Sequence, residues 1–175
     1  MDTPILETER LLLRPFYADD VTEVFECWES DAEVAKYMFW CSHNNISKTK
    51  EWLASEIEKA SSDKWFRWAV VLRDANKLIG TGLVYFEEEY GLFEVSYNFG
   101  RQYWGLGYAT ETMKQIVNFA QNVLGIKELV GRIAKDNPTS GNVLKKLGFV
   151  DFKDIPYEAN EGKNHFDGIE YRLNF

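Results

Sequence analysis

The stretch with the most chemical character is Gln102-Tyr103-Trp104-Gly105-Leu106-Gly107-Tyr108-Ala109. It joins a strand pattern to an amphipathic helix pattern, where successive backbone N–H groups and the helix dipole favour an anion. Gly105 and Gly107 let the backbone approach a phosphate with no Cβ in the way. The same two glycines also suit a plain tight turn onto a helix. A dinucleotide fingerprint needs a small residue where Thr110 stands, and a P-loop needs a Gly-Lys-Ser/Thr run. Neither is present. Cys41 and His43 lie close together, but two soft ligands do not close a tetrahedral site, so no metal is expected.

The elements that must position this stretch follow from periodicity. Leu11 to Arg14 reads as a first strand ended by Pro15. Asp19 and Asp20 offer N-caps to a helix carrying Val21, Val24, Phe25 and Trp28 on one face. Ser47 is placed to cap a second helix through Leu53, Ile57 and Ala60. Between them Tyr37-Met38-Phe39-Trp40 reads as core cover under a loop, or else as the wall of a ligand pocket. Trp65 to Leu72 and Leu78 to Phe86 form a hairpin about residues 73–77. In Leu92 to Phe99, Phe93, Val95, Tyr97 and Phe99 face one way while Glu94, Ser96 and Asn98 face the other. Ala109, Met113, Ile116, Val117, Ala120 and Leu124 keep the helical period, with Gly125 just beyond. Glu128 to Ala134 is a strand. Asn137-Pro138 starts a helix along Val143, Leu144 and Leu147. Strands at 149–155 and 169–175 complete a mixed α/β (α+β) chain with hairpins rather than a regular βαβ series.

Composition sets the outer limits. The chain has 175 residues and a net charge of −8, with 45% hydrophobic and 15% aromatic residues. That supports one domain, residues 1–175, whose core needs no staple. The acidity counts against nucleic acid as a partner, because a phosphate backbone wants a basic face. It does not count against one small anion held by backbone amides. No apolar run approaches the ~20 residues of a membrane span. With Cys27 and Cys41 the only cysteines and no leader readable at Met1 to Pro4, a reduced, cytoplasmic location is expected.

Three motifs in order carry a family resemblance. Residues 102–111 resemble the Q/R-x-x-G-x-G/A motif of the GCN5-related N-acetyltransferases, the GNAT superfamily, and look like its Rim-type branch of ribosomal-protein N-terminal acetyltransferases. Glu7 to Pro15 resembles that branch's opening strand. Asn137-Pro138-Thr139-Ser140, running on to Lys146-Leu147-Gly148-Phe149, resembles its N-x-x-S…K-L-G-F helix. The resemblance implies a single-domain GNAT fold: a mixed, mostly antiparallel central sheet with splayed central strands, flanked by about four helices. It also implies acetyl-CoA as co-substrate, with the pantetheine arm along the strand ending Tyr97-Asn98-Phe99. The pyrophosphate would then sit on amides from Gln102 through Trp104, Gly105, Leu106, Gly107 and Tyr108 to Ala109. Asn137 matches a position that hydrogen-bonds pantetheine, and it equally suits a helix cap.

By the same resemblance an amine attacks the thioester directly, with no covalent enzyme intermediate and an oxyanion donor among the N–H groups near Asn98 or Phe99. Many members place a Tyr where Leu144 stands here. The Rim-type branch uses the serine matched by Ser140, which also reads as a first-turn polar residue. Glu94 is the candidate general base, or else a solvated strand carboxylate. Glu111 is expected to favour its helix N-terminus. His43 and His165 lie outside the motifs, with His165 in a loop near the acceptor. Acceptor classes are a peptide N-terminus, an amino acid, a polyamine or an amine-bearing antibiotic, and a homodimer is compatible with the family. The alternative is a catalytically silent CoA-binding sensor or interaction module.

Overall fold

Eight strands form one mixed sheet in the computed structural model, which describes residues 1–175. They are β1 (Leu6–Glu7), β2 (Leu11–Arg14), β3 (Trp65–Leu72), β4 (Lys77–Glu87), β5 (Leu92–Phe99), β6 (Glu128–Ala134), β7 (Val150–Ala159) and β8 (Asn164–Asn174). Their order across the sheet is β1-β2-β3-β4-β5-β6-β8-β7. Every neighbouring pair is antiparallel except β5 and β6. The helices are α1 (Val21–Val24), α2 (Ala32–Ala35), α3 (Ile46–Lys59), α4 (Tyr108–Asn122) and α5 (Pro138–Lys146). This is the single-domain GNAT architecture that the motifs imply.

Strand alternation divides the interior into two layers. Phe66, Trp68 and Val70 of β3 enter one core with Met113, Ile116 and Phe119 of α4 and Leu144 of α5. Ala69 and Val71 enter the other with Val24, Trp28 and Leu53. Phe119 meets both Phe66 and Trp68 at 5.3 Å between ring centroids, in edge-to-face contact. Burying each such ring contributes on the order of 1.5–3 kcal/mol. Two glycines set how closely the helices approach. A Cβ on Gly82 would lie 2.5 Å from Ile116, and one on Gly131 would lie 2.8 Å from Leu144. Thus α4 seats on β4 while α5 seats on β6, and each half of the sheet has its own helix.

Between those halves the sheet opens. Strands β5 and β6 share only two residue pairs, Phe93 with Leu129 and Glu94 with Val130. Beyond them the strands diverge, as the family resemblance implies. The register of β4 against β5 runs unbroken from Gly80–Phe99 to Glu87–Leu92, so the alternation of β5 holds along its length.

Several local expectations are corrected. Asn45, not Ser47, caps α3, its carboxamide accepting from the Ser47 N–H at 3.0 Å. Asp20 does not cap α1; its carboxylate accepts from the Tyr17 N–H and from both terminal nitrogens of Arg14. The first helix widens into a π-helical turn over Phe25–Glu29. The final two strands run further than expected, making a hairpin that turns at residues 160–163. His165 therefore lies on β8 and faces Glu158. Pro156 obscured this, but β7 is an edge strand, where proline is tolerated.

The opening hairpin is locked to α4. Glu111, in the first turn of α4, accepts from the Thr8 hydroxyl (2.6 Å), the Arg10 N–H (3.0 Å) and the Arg10 Nε (2.7 Å). Burial raises its proton affinity, but these bonds outweigh that and hold the carboxyl below its usual range. Glu111 therefore does more than favour a helix dipole. Glu111→Ala should cost about 2 kcal/mol, the scale of hydrogen bonds to a charged group, read from urea unfolding. The lowered carboxyl stabilises the fold above the unfolded-state value and loses that effect as pH falls. The variant and wild type should therefore converge in stability at acid pH.

Candidate active site

The parting of β5 and β6 leaves a backbone edge facing the opening. The Gly100 N–H donates to Ile79 O at 3.0 Å, so Gly100 pairs with β4. By antiparallel alternation Asn98, Ser96 and Glu94 also turn their peptide groups to β4. Val95, Tyr97 and Phe99 turn theirs towards β6. The Phe99 carbonyl is taken by the Trp104 indole N–H at 2.8 Å. Asn98 differs in that its backbone faces β4, and its buried side-chain nitrogen has no partner.

Past β5 the chain makes a 3₁₀ turn over Arg101–Tyr103, which holds Gln102, and then enters α4. Gly105 and Gly107 adopt φ of +75° and +84°, and Gly107 is the N-cap of α4. The N–H groups from Gly105 through Leu106, Gly107, Tyr108 and Ala109 to Thr110 make no turn or cap hydrogen bond. Consecutive free amides at a helix start form an anion cradle. Arg10 braces it from the side, donating to Leu106 O at 3.1 Å and lying 4.4 Å over the Tyr108 ring. Trp104 and Leu106 stay about half exposed on the outer rim.

A cavity passes through the opening and is lined from both faces of the sheet. Glu94, Arg132 and Tyr157 line it from one side, and Tyr97, Leu144 and Ser140 from the other. Asn137 caps α5, its carboxamide oxygen 3.4 Å from the Ser140 N–H. Its Nδ2 donates to the Ser140 hydroxyl at 3.2 Å, so that oxygen has its own hydrogen to give elsewhere. The Tyr97 hydroxyl donates to Ser140 O at 3.1 Å, and burial pushes its pKa up to about 12. Glu94 is 4% exposed and bonded to Arg132 Nη1 at 2.6 Å. Burial outweighs that cation and raises the Glu94 pKa to about 7.

Sequence reasoning missed Arg132 and Tyr157. Arg132, inside a buried strand, was signalled by a lone cation among apolar neighbours. Tyr157 donates to Tyr37 O at 2.7 Å. Tyr37, Met38 and Phe39 line the cavity rather than only covering the core, because the hairpin tip grips their loop. Asn160 donates from Nδ2 to Ala35 O and Trp40 O, both at 2.9 Å, and from its backbone to Met38 O at 2.8 Å. His43 is remote from these contacts, bonded to Glu29 at 3.1 Å. No three His, Cys, Asp or Glu side chains gather as a metal-holding group.

Comparison with known proteins fits this geometry. Residues 10–150 match the family described as acetyltransferase (GNAT) domain. The uncharacterized N-acetyltransferase YoaA of Bacillus subtilis is 29% identical over 147 residues, 83% of this chain and 82% of its own. RimL, a ribosomal alpha-N-protein acetyltransferase solved in complex with coenzyme A, has a TM-score of 0.85 over 98% of both chains at 13% identity. Spermidine N-acetyltransferase from Vibrio cholerae, solved with CoA and spermine, has a TM-score of 0.78 at 15% identity. It covers 95% of this chain and 96% of its own. At those identities the two structures share the fold, while the family match favours an enzyme over a silent binding module. The chain thus belongs to the GNAT acetyltransferase family, as an N-acetyltransferase that uses acetyl-CoA as its co-substrate.

Proposed function

We propose that the chain transfers the acetyl group directly to a primary amine, on a protein N-terminus or a small molecule, within a ternary complex. The reading treats residues 1–175 as one catalytic unit of the Rim-type, RimJ/RimL-like branch. It rests above all on the cavity that pierces the sheet, with a raised carboxylate on one face and a serine hydroxyl on the other. The amine enters from the Glu94 side and the thioester from the α5 side. The Rim-type assignment draws on Ser140 after Asn137, with Leu144 where other members carry a Tyr.

In this reading the Tyr97 and Phe99 peptide groups pair with pantetheine, and the Gly105 to Ala109 amides hold the pyrophosphate. Glu94 accepts the proton lost by the amine, whose nitrogen forms a bond to the acetyl carbon. A β5 backbone N–H turned towards the opening stabilises the oxyanion. The C–S bond then breaks, and Ser140 hydrogen-bonds the departing thiolate. Holding both partners in line supplies much of the acceleration, up to ~7–11 kcal/mol for well-oriented groups. Cys27 supports direct attack, since burial pushes its pKa up to about 11 and keeps it a thiol.

An acceptor screen with mass detection, covering free-N-terminal peptides, polyamines and aminoglycosides with acetyl-CoA, should yield an acetylated amine. CoA binding without any acetylated product would contradict the reading. With that acceptor, kcat/KM should rise with pH through about 7, because a general base works only as the carboxylate. Glu94→Gln should abolish that limb and lower the plateau on the order of 10²-fold. Ser140→Ala should lower kcat about 10²-fold, the scale of one lost transition-state donor, with the acetyl-CoA KM little changed.

A further inference from the structure

Glu94 is the end of a chain of alternating charges built by strand register. Arg132 on β6 and Glu170 on β8 are direct cross-strand partners. Arg132 donates from Nη1 to Glu94 and from Nε to Glu170, at 2.6 and 3.0 Å. Arg172, two residues along β8 and therefore on the same face, binds the other Glu170 oxygen at 2.9 Å. It reaches on to Glu128 at 3.0 Å. The chain thus holds three carboxylates and two guanidiniums, an excess of one negative charge. Glu170 is 1% exposed, so water does little to weaken these contacts.

We propose that Glu170 and Arg132 are positioning residues for acetyl transfer: Glu170 divides the Arg132 guanidinium between two carboxylates, leaving Glu94 free to take the proton of the amine. The inference deepens the reading of Glu94 as the base and rests on it. An Arg bound to Glu94 alone would hold that carboxylate charged and its lone pairs occupied, making it a weak base. The second carboxylate draws the guanidinium away and adds its own repulsion. Arg172 limits this by neutralising Glu170 from the far side, so the two outer residues act on Glu94 with opposite signs.

The other groups around Glu94 act in the same electrostatic setting. Tyr85 and Glu87 reach it from β4, and Tyr157 from β7. Tyr90 lies 4.0 Å beneath Arg132 from the turn after β4. Burial keeps Tyr85 and Tyr157 neutral. Glu87 adds repulsion of the same sign as Glu170, but no ion pair joins it to the network.

The test is a carbon-13 NMR titration of the Glu94 carboxyl in acceptor-free protein, assigned by the resonance lost in Glu94→Gln. Glu170→Gln, which keeps the shape and an oxygen acceptor, should shift the titration down by about one unit. Arg172→Met should shift it up. Opposite signs from two neighbouring residues are not produced by a general loosening of the fold, and the partly exposed Arg172 site gives a reading even if Glu170→Gln folds poorly. A Glu94 titration unmoved by either variant, or moved the same way by both, would overturn the inference. The pH dependence of CoA release with a peptide bearing a free N-terminal serine, or with spermidine, tests the underlying reading separately. A rate limb that ignores the shifted titration would remove Glu94 as the base and leave the network without catalytic meaning.

Discussion

Strands β5 and β6 run parallel for two residue pairs and then part, and the chemistry proposed for this chain depends on that parting. A closed parallel ladder would satisfy the peptide groups of Val95, Tyr97 and Phe99 and seal one face of the sheet from the other. Here α4 is seated on β4 at Gly82 and α5 on β6 at Gly131, so each strand follows its own helix. The opening left between them exposes a backbone edge and joins two faces of different character. One carries a buried carboxylate in an ion-pair network, the other a helix start with a serine hydroxyl.

The surrounding structure keeps that opening in shape. The Thr8–Arg10–Glu111 lock ties the first hairpin to α4 and fixes the glycine loop where the free amides converge. At the opposite end, Asn160 and Tyr157 hold the loop around Tyr37, and the Tyr37 hydroxyl donates to Asp136 O at 3.0 Å, next to the α5 cap. The loop therefore spans the cavity between two anchored ends. The anchors of this loop use backbone carbonyls as acceptors, which preserves geometry regardless of the side chains that line the cavity, whereas the lock closes on the Glu111 carboxylate.

Much of this was legible in the sequence. The alternation of residues 92–99, the Gly105/Gly107 loop and the Asn137-Pro138 start each depend on local backbone chemistry, and local rules found them. What escaped was set by distant pairing. The role of Glu111 needs Arg10 beside it, about a hundred residues away in sequence. Residues 155–168 looked like loop because Pro156 and Gly168 interrupt the alternation, yet pairing with β8 carries the strand through. The aromatic run at 37–40 carries no sign of the hairpin tip that turns it into a cavity wall. Net charge gave only a faint guide: an excess of acid counted against long nucleic acids, while the carboxylate proposed as the base sits in a network with two arginines and another glutamate.

The central claim is that acetyl transfer occurs within the opening between β5 and β6. A crystal structure with a non-hydrolysable acetyl-CoA analogue tests it most directly. The account predicts pantetheine amides hydrogen-bonded to the Tyr97 backbone, the pyrophosphate on the Gly105 to Ala109 amides, and the acetyl mimic in the cavity between Glu94 and Ser140. A cofactor bound elsewhere, or an acetyl mimic directed away from that cavity, would contradict it.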